Sequence, residues 1–302
     1  MMDERKIFSK RHWYGLLFLM VVLGVFAVGQ QMKPEAETNP EEIQQPSDEM
    51  HPEFAMMFDS NGTLGEIVQG SISGWFNGQY VNRMPVQYVI VDGHAVYQGD
   101  ILINPDGAMT AGMGVKRENL LWDGLVAYEI ASNLPDQFRI HDAIAHWEEH
   151  TSIRFIERTN SNSSQYRNYI RFQPGNGCSS YVGMQGGSQP INLAKACSTG
   201  NTIHEIGHAL GLWHEQSRID RDEYVEIRYE NIISLYAFNF DKQTSNGVDI
   251  GDYDFGSIMH YPAWAFSKNG KDTIVTKNGE DIGQRDNLSA GDIAAIEAMY
   301  GK

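Results

Sequence analysis

Cysteine is scarce: the 302 residues carry two. Two thiols cannot build a cysteine-rich scaffold or a four-cysteine zinc site. They leave room for one disulfide or for two inert thiols. Basic residues are short as well, 23 against 39 acids, for a formal charge of −16. A nucleic-acid partner is excluded on that ground, because binding one needs a basic face to displace counterions. Internal repeats are absent. The chain is otherwise ordinary in hydrophobic and charged content, and long enough to bury a core without a disulfide framework.

One long apolar run exists, residues 13–29, preceded by Arg5, Lys6, Lys10 and Arg11. A basic start, an apolar run and a polar continuation form the layout of an export signal, and Ala27-Val28-Gly29 offers small residues for cleavage. The run also reaches the lower limit of about 17 residues for a spanning helix. Residues 1–29 therefore read as a signal peptide or an N-terminal membrane anchor. The protein is expected to be secreted, periplasmic or membrane-anchored facing outward, touching membrane only through this segment. Residues 30–53 hold seven acids, one lysine and four prolines. With little to bury, they read as an acidic disordered linker.

Residues 54–111 are glycine-rich. Val86 to Val91 and His94 to Tyr97 flank Asp92-Gly93, the pattern of a hairpin with a tight turn. Ile101-Leu102-Ile103 comes next. Residues 112–302 read as one α+β unit. Strands are expected over 125–130, 153–156 and 169–172. A helix is expected over 137–150, with Phe138, Ile140, Ala143, Ile144 and Trp147 at helical spacing.

The chemistry concentrates in His204-Glu205-Ile206-Gly207-His208, followed by Gly211 and His214-Glu215. Asn201 or Thr202 can cap a helix here. Residues four apart share a helix face, so His204 and His208 can reach one metal ion. Glu205 sits one step round, placed to hold a water without ligating. Gly211 can end the helix in the left-handed conformation, and His214 can return as a third ligand. Three neutral imidazoles leave a fourth position open, the arrangement of a catalytic rather than a structural zinc. Glu205 then serves as general base and acid. His146-Trp147-Glu148-Glu149-His150 also fits an inverted zinc motif. It lacks a third ligand nearby and reads as surface histidines on an amphipathic helix. Downstream, Met259 in Ser257-Ile258-Met259-His260-Tyr261 suggests a methionine turn, an apolar floor beneath the metal.

From about Asn119 to Gly301 the chain resembles the astacin family of metzincin zinc endopeptidases. The long histidine motif with Glu215 carries the likeness, together with residues 257–261, Leu121-Trp122, Tyr128, residues 177–183 and Ile282-Gly283-Gln284-Arg285. The resemblance implies a two-lobed zincin-like domain with a mixed sheet and an active-site helix, acting on extended polypeptides. It implies one catalytic Zn2+ on His204, His208 and His214, with Glu205 catalytic. It makes Tyr261 a movable ligand that stabilises the oxyanion. His260 supports the turn, Glu215 contacts the N-terminal segment of the mature enzyme, and Arg285 lines the pocket for the residue after the scissile bond. Substrate is expected to pair with a sheet edge, with residues 183–189 and 191–194 as its rim.

Tyr97-Gln98-Gly99-Asp100 resembles the family's aspartate switch. Asp100 would ligate zinc in the latent form only, and residues 54–111 would be a prosegment. Activation would then need cleavage between Asp100 and about Glu118, by another protease or by self-cleavage. The family's two disulfides are represented by one candidate pair, Cys178 and Cys197. The missing partners fall at Ser152 and near Lys302, which leaves the C-terminal helix to packing. Two rival readings are another metzincin class and a non-catalytic binding protein on a protease fold. Asn61, Asn162 and Asn287 are glycosylation acceptors only on a eukaryotic secretory route.

Overall fold

A computed structural model describes residues 64–76, 79–105, 121–243 and 248–301. The signal or anchor, the acidic linker, the start of the prosegment and the expected activation segment lie outside the described residues. Among the described residues, no helix is long and apolar enough to cross a membrane.

Asp92 and Gly93 both take positive φ, 48° and 80°, as a two-residue turn between right-twisted strands requires. They join β2 (Gln79–Val91) to β3 (His94–Tyr97), with Val91 opposite His94. Strand β1 (Glu66–Phe76) pairs with the far side of β2, and β4 (Ile101–Ile103) with β3. These four antiparallel strands continue into five more: β8 (Cys178–Ser180), β9 (Ser188–Leu193), β7 (Tyr169–Pro174), β5 (Leu125–Ile130) and β6 (Arg154–Glu157). The result is one mixed nine-stranded sheet in the order β1-β2-β3-β4-β8-β9-β7-β5-β6. A small second sheet pairs β10 (Val225–Ile227) with β11 (Ile274–Thr276). The α+β expectation and the mixed sheet hold.

Helix α1 (Phe138–His150) buries Ile140, Ala143, Ile144 and Trp147. Phe138, expected on that stripe, is instead 63% exposed. It precedes Ile140 by two residues, about 200° round the helix. Arg139 is buried, and its Nη1 donates to the carbonyls of Ala194 and Cys197. This holds the segment leading into helix α2 (Thr199–Leu210). The Trp147 indole donates to Ile203 O at 3.1 Å, tying α1 to α2 directly.

Cys178 and Cys197 form a disulfide with a Cα–Cα distance of 6.0 Å, joining β8 to the entry of α2. The absent second bridge has a polar substitute. Ser152 N donates to Glu297 Oε1 at 2.8 Å, from the end of α1 to helix α3 (Ala290–Tyr300). The Tyr300 hydroxyl adds a bond to Leu210 O at 2.8 Å. The C-terminal helix is therefore held by hydrogen bonds as well as packing.

The expected substrate rim needs correction. β9 lies inside the sheet, between β8 and β7, so residues 191–194 offer no free edge. An apolar run alone cannot distinguish an edge strand from a central one. The outer strand at this point is β8, and β4 already pairs with it in parallel, Ile101 opposite Ser180. Ser180 N donates to Asp100 O at 3.0 Å.

Candidate metal centre

Helix α2 is capped by Ser198, not by Asn201 or Thr202. Ser198 Oγ accepts from Asn201 N at 3.1 Å, and Asn201 Oδ1 accepts from Ser198 N at 2.9 Å. This reciprocal box moves the helix start one turn earlier than the sequence reading. Asn201 remains part of the cap, as its third residue. The helix ends at Gly211, φ 110°, whose N–H bonds His208 O at 2.8 Å. Gly207 has a separate reason: a Cβ there would meet Met259 Sδ at 2.8 Å. Its absence lets Met259, 1% exposed, lie against the metal helix.

His204, His208 and His214 converge, fully buried, with ring centroids 4.6, 4.8 and 5.5 Å apart. His204 Nδ1 lies 2.8 Å from Ile258 O, and His208 Nδ1 lies 2.8 Å from Leu212 O. A carbonyl can only accept, so each Nδ1 carries the proton and each Nε2 keeps its lone pair. The carboxylate of Asp100 stands among the three Nε2 atoms. It is 3.1 Å from His214, 3.3 Å from His204 and 3.7 Å from His208. Burial would raise the Asp100 carboxyl, but its imidazole neighbours, His214 foremost, hold it well below the usual range. Burial lowers His214. The donor set is thus one carboxylate and three imidazoles, two of which, His204 and His208, present Nε2 because Nδ1 is held by a carbonyl.

This set fits a zinc ion. The four donor atoms all lie within 4.8 Å of one another. Zinc bonds of about 2.0–2.2 Å in a tetrahedron put ligand atoms about 3.4 Å apart, the range observed around Asp100. Asp100 Oδ1 and His208 Nε2 are buried without a hydrogen-bond partner, a costly arrangement that a cation between them removes. Glu205 is fully buried on the same helix. Among the described residues no other such cluster occurs. His146 and His150 instead stack at 4.3 Å, and His146 Nε2 accepts from Leu288 N at 3.1 Å.

Tyr261 lies beside the cluster, its ring 4.5 Å from that of His214. Its hydroxyl donates to Gln98 O at 2.5 Å. His260 stands outside the histidine cluster: Nε2 pairs with the Tyr253 hydroxyl and Nδ1 with Tyr261 O, each at 2.7 Å. Burial lowers its pKa to about 4. Glu215 Oε1 accepts from Asp254 N at 2.9 Å and faces Arg218 Nε at 3.5 Å. Burial pushes its carboxyl up to about 8. The N-terminal segment expected to touch it begins among residues 106–120, outside the described residues. Arg285 Nη1 donates to the carbonyls of His260 and Gln284, at 3.0 and 2.9 Å.

The model of the Astacin peptidase family matches residues 114–301. The chain belongs to the astacin family. Relatives in that family include zinc metalloproteinases, and zinc is a metal that the histidine cluster here suits. Blastula protease 10 of Paracentrotus lividus is 37% identical over 228 residues, covering 68% of this chain and 38% of that protein. Protein SpAN of Strongylocentrotus purpuratus matches at the same identity with 37% of its length covered. The chain thus spans little more than a third of these relatives. It spans 89% of the astacin-like metalloprotease toxin 1 of Loxosceles intermedia, at 37% identity over 75% of its own length. Among solved astacin structures, high choriolytic enzyme 1, a hatching enzyme zinc-protease of Oryzias latipes, superimposes with a TM-score of 0.57 at 35% identity. The match covers 63% of this chain and 98% of that one.

Two buried residues escaped the sequence reading. Gln216 Oε1 accepts from Tyr261 N at 2.9 Å, fixing the tyrosine's backbone to the turn that comes after His214. Asp292 accepts from the Ser257 hydroxyl and from Ile258 N. The Ser289–Asp292 spacing marks a helix cap, which was legible. The second role of Asp292 runs through space and leaves no signal in the chain.

Proposed function

We propose that this chain is the latent precursor of an exported zinc endopeptidase. The observation that carries the reading is the Asp100 carboxylate set among the Nε2 atoms of His204, His208 and His214. A carboxylate there takes the position a nucleophilic water would need. Zinc on the three histidines would polarise the scissile carbonyl and acidify a water. Glu205 would take that water's proton and deliver it to the leaving amine. Tyr261 would donate its phenol to the developing oxyanion. Here that phenol is committed to Gln98 O, so residues 98 and 100 together engage two parts of the machinery.

In this reading residues 54–111 are a prosegment, residues 112–302 are the peptidase domain, and cleavage between Asp100 and about Glu118 releases it. Release would open the outer edge of β8 to an extended polypeptide, which pairs there through its backbone. Residues 1–29 would direct export as a cleaved signal or an anchor. Arg285 would favour an acidic residue after the scissile bond, and equal cleavage of peptides with Asp or Leu at that site would remove this preference.

Processed wild type and Glu205→Ala, each with zinc quantified, are to be compared on a denatured protein substrate. Wild type is expected to cleave it and the variant to retain zinc without cleaving. Equal handling by the two would replace the protease reading with a binding one. Unprocessed Asp100→Ala is expected to gain activity, and continued silence would end the switch.

A further inference from the structure

The three histidines differ in what holds their other ring nitrogen. His204 and His208 lean on the carbonyls of Ile258 and Leu212, backbone groups of residues 112–302. His214 Nδ1 has a different partner, the side-chain Oε1 of Gln98 at 3.4 Å. Gln98 comes from the segment between β3 and β4 and is fully buried.

We infer that Gln98 is a positioning residue that sets the tautomer and ring orientation of His214 for metal uptake by the unprocessed chain. The inference rests on the reading of His204, His208 and His214 as zinc ligands.

Three observations support it. The orientation of the Gln98 amide is set by its surroundings, since its Nε2 donates to Asp241 O at 3.3 Å. That carbonyl can only accept, so the amide oxygen is the end left facing His214. An amide oxygen in turn accepts only from a protonated Nδ1, which leaves the lone pair on Nε2, the atom 3.1 Å from Asp100. Second, Gln98 adopts φ 47°, in the left-handed region. A side-chain-bearing residue persists there at a cost of order 1–3 kcal/mol only when its surroundings over-determine it. Third, those surroundings are firm on both sides. Tyr261 donates to Gln98 O, and the neighbouring Tyr97 hydroxyl accepts from Gln243 Nε2 at 2.8 Å. The asymmetry has a consequence. Cutting away this segment withdraws the partner of one metal-facing histidine and leaves those of the other two.

The test measures zinc affinity by chelator competition on the unprocessed full chain, for wild type, Gln98→Met and Gln98→Glu. The methionine variant keeps length and burial but lacks the acceptor. Loss of such an outer hydrogen bond typically weakens metal binding about 10–100-fold, and that loss is expected. The glutamate variant keeps an acceptor toward His214 and loses the donor toward Asp241, so it is expected to bind close to wild type. Equal affinity of wild type and Gln98→Met overturns the inference. Equal weakening of both variants overturns it too, since the Asp241 tie would then be what matters. A wild type that takes up no zinc fails the zinc reading itself, a distinguishable result. If Gln98→Met does not fold, 15N-histidine spectra of zinc-loaded wild type decide. A protonated, hydrogen-bonded His214 Nδ1 is expected, and an unprotonated one overturns the inference.

Discussion

Asp292 Oδ2 accepts the backbone N–H of Ile258 at 2.9 Å, and the carbonyl of that same Ile258 holds His204 Nδ1 at 2.8 Å. A carboxylate at the start of the C-terminal helix is therefore linked to a histidine of the buried cluster through one residue of backbone. Asp292 also caps α3, accepting from Ser289 N at 2.9 Å, and takes the Ser257 hydroxyl at 2.6 Å. Asp292→Ala is expected to cost about 2–4 kcal/mol, combining a lost cap with stranded buried donors. Asp292→Asn should cost less, because it keeps an acceptor. Urea denaturation of both variants checks the order.

The Cys178–Cys197 bridge closes a loop of sequence separation 19. A double Cys178→Ala, Cys197→Ala variant should lose about 3 kcal/mol on the chain-entropy account. The same denaturation experiment under oxidising conditions measures it. A loss near zero would mean that Arg139, through Ala194 and Cys197, already fixes the loop.

Glu297→Ala removes the bond that stands where the family's second disulfide is missing. Ser152 is exposed, so water can replace the carboxylate, and the cost should be about 0.5–1.5 kcal/mol. Tyr300→Phe should cost a similar amount. A loss above about 3 kcal/mol from Glu297→Ala would show that this contact carries the strength of a bridge.

His146 supplies an acid-sensitive contact that takes no part in the buried histidine cluster. Burial lowers its pKa below 6.5, with the charge of His150 adding to the effect. Its Nε2 accepts from Leu288 N, which the protonated ring cannot do. The unfolded chain thus binds this proton more readily than the folded one below about pH 6.5. The contribution is present above that pH and fades as pH falls through the lower folded value. Unfolding free energy measured from pH 7.5 to 5 should drop less steeply in His146→Gln than in wild type.

The parts of the fold visible in the chain were those with local causes. Asp92-Gly93 announces its hairpin, Ile140 to Trp147 their helix face, and His204 to His214 their turn of metal-facing imidazoles. Each depends on spacing within one short stretch of chain. The helix start was misplaced by a turn because Ser198 and Asn201 satisfy each other across three residues, outside the motif that drew attention. The part of the substrate rim over residues 191–194 was misplaced for a different reason. Whether a strand is central or peripheral depends on which distant segment pairs with it, and β4 finds β8 across more than seventy residues. Gln98 stood in plain view beside Asp100, yet its side-chain partners Asp241 and His214 are more than a hundred positions away.

The pairing of β4 with β8 bears on more than access of substrate. An uncovered strand presents a row of unmet backbone donors and acceptors, and such a row recruits any extended chain, including another copy of the same protein. With β4 in place, β8 has no such row at Ser180. Severing residues 64–103 from the rest of the chain would leave a five-stranded remnant, β8-β9-β7-β5-β6, with a fresh border. The pairing that covers β8 against an extended polypeptide covers it equally against a second copy of the chain.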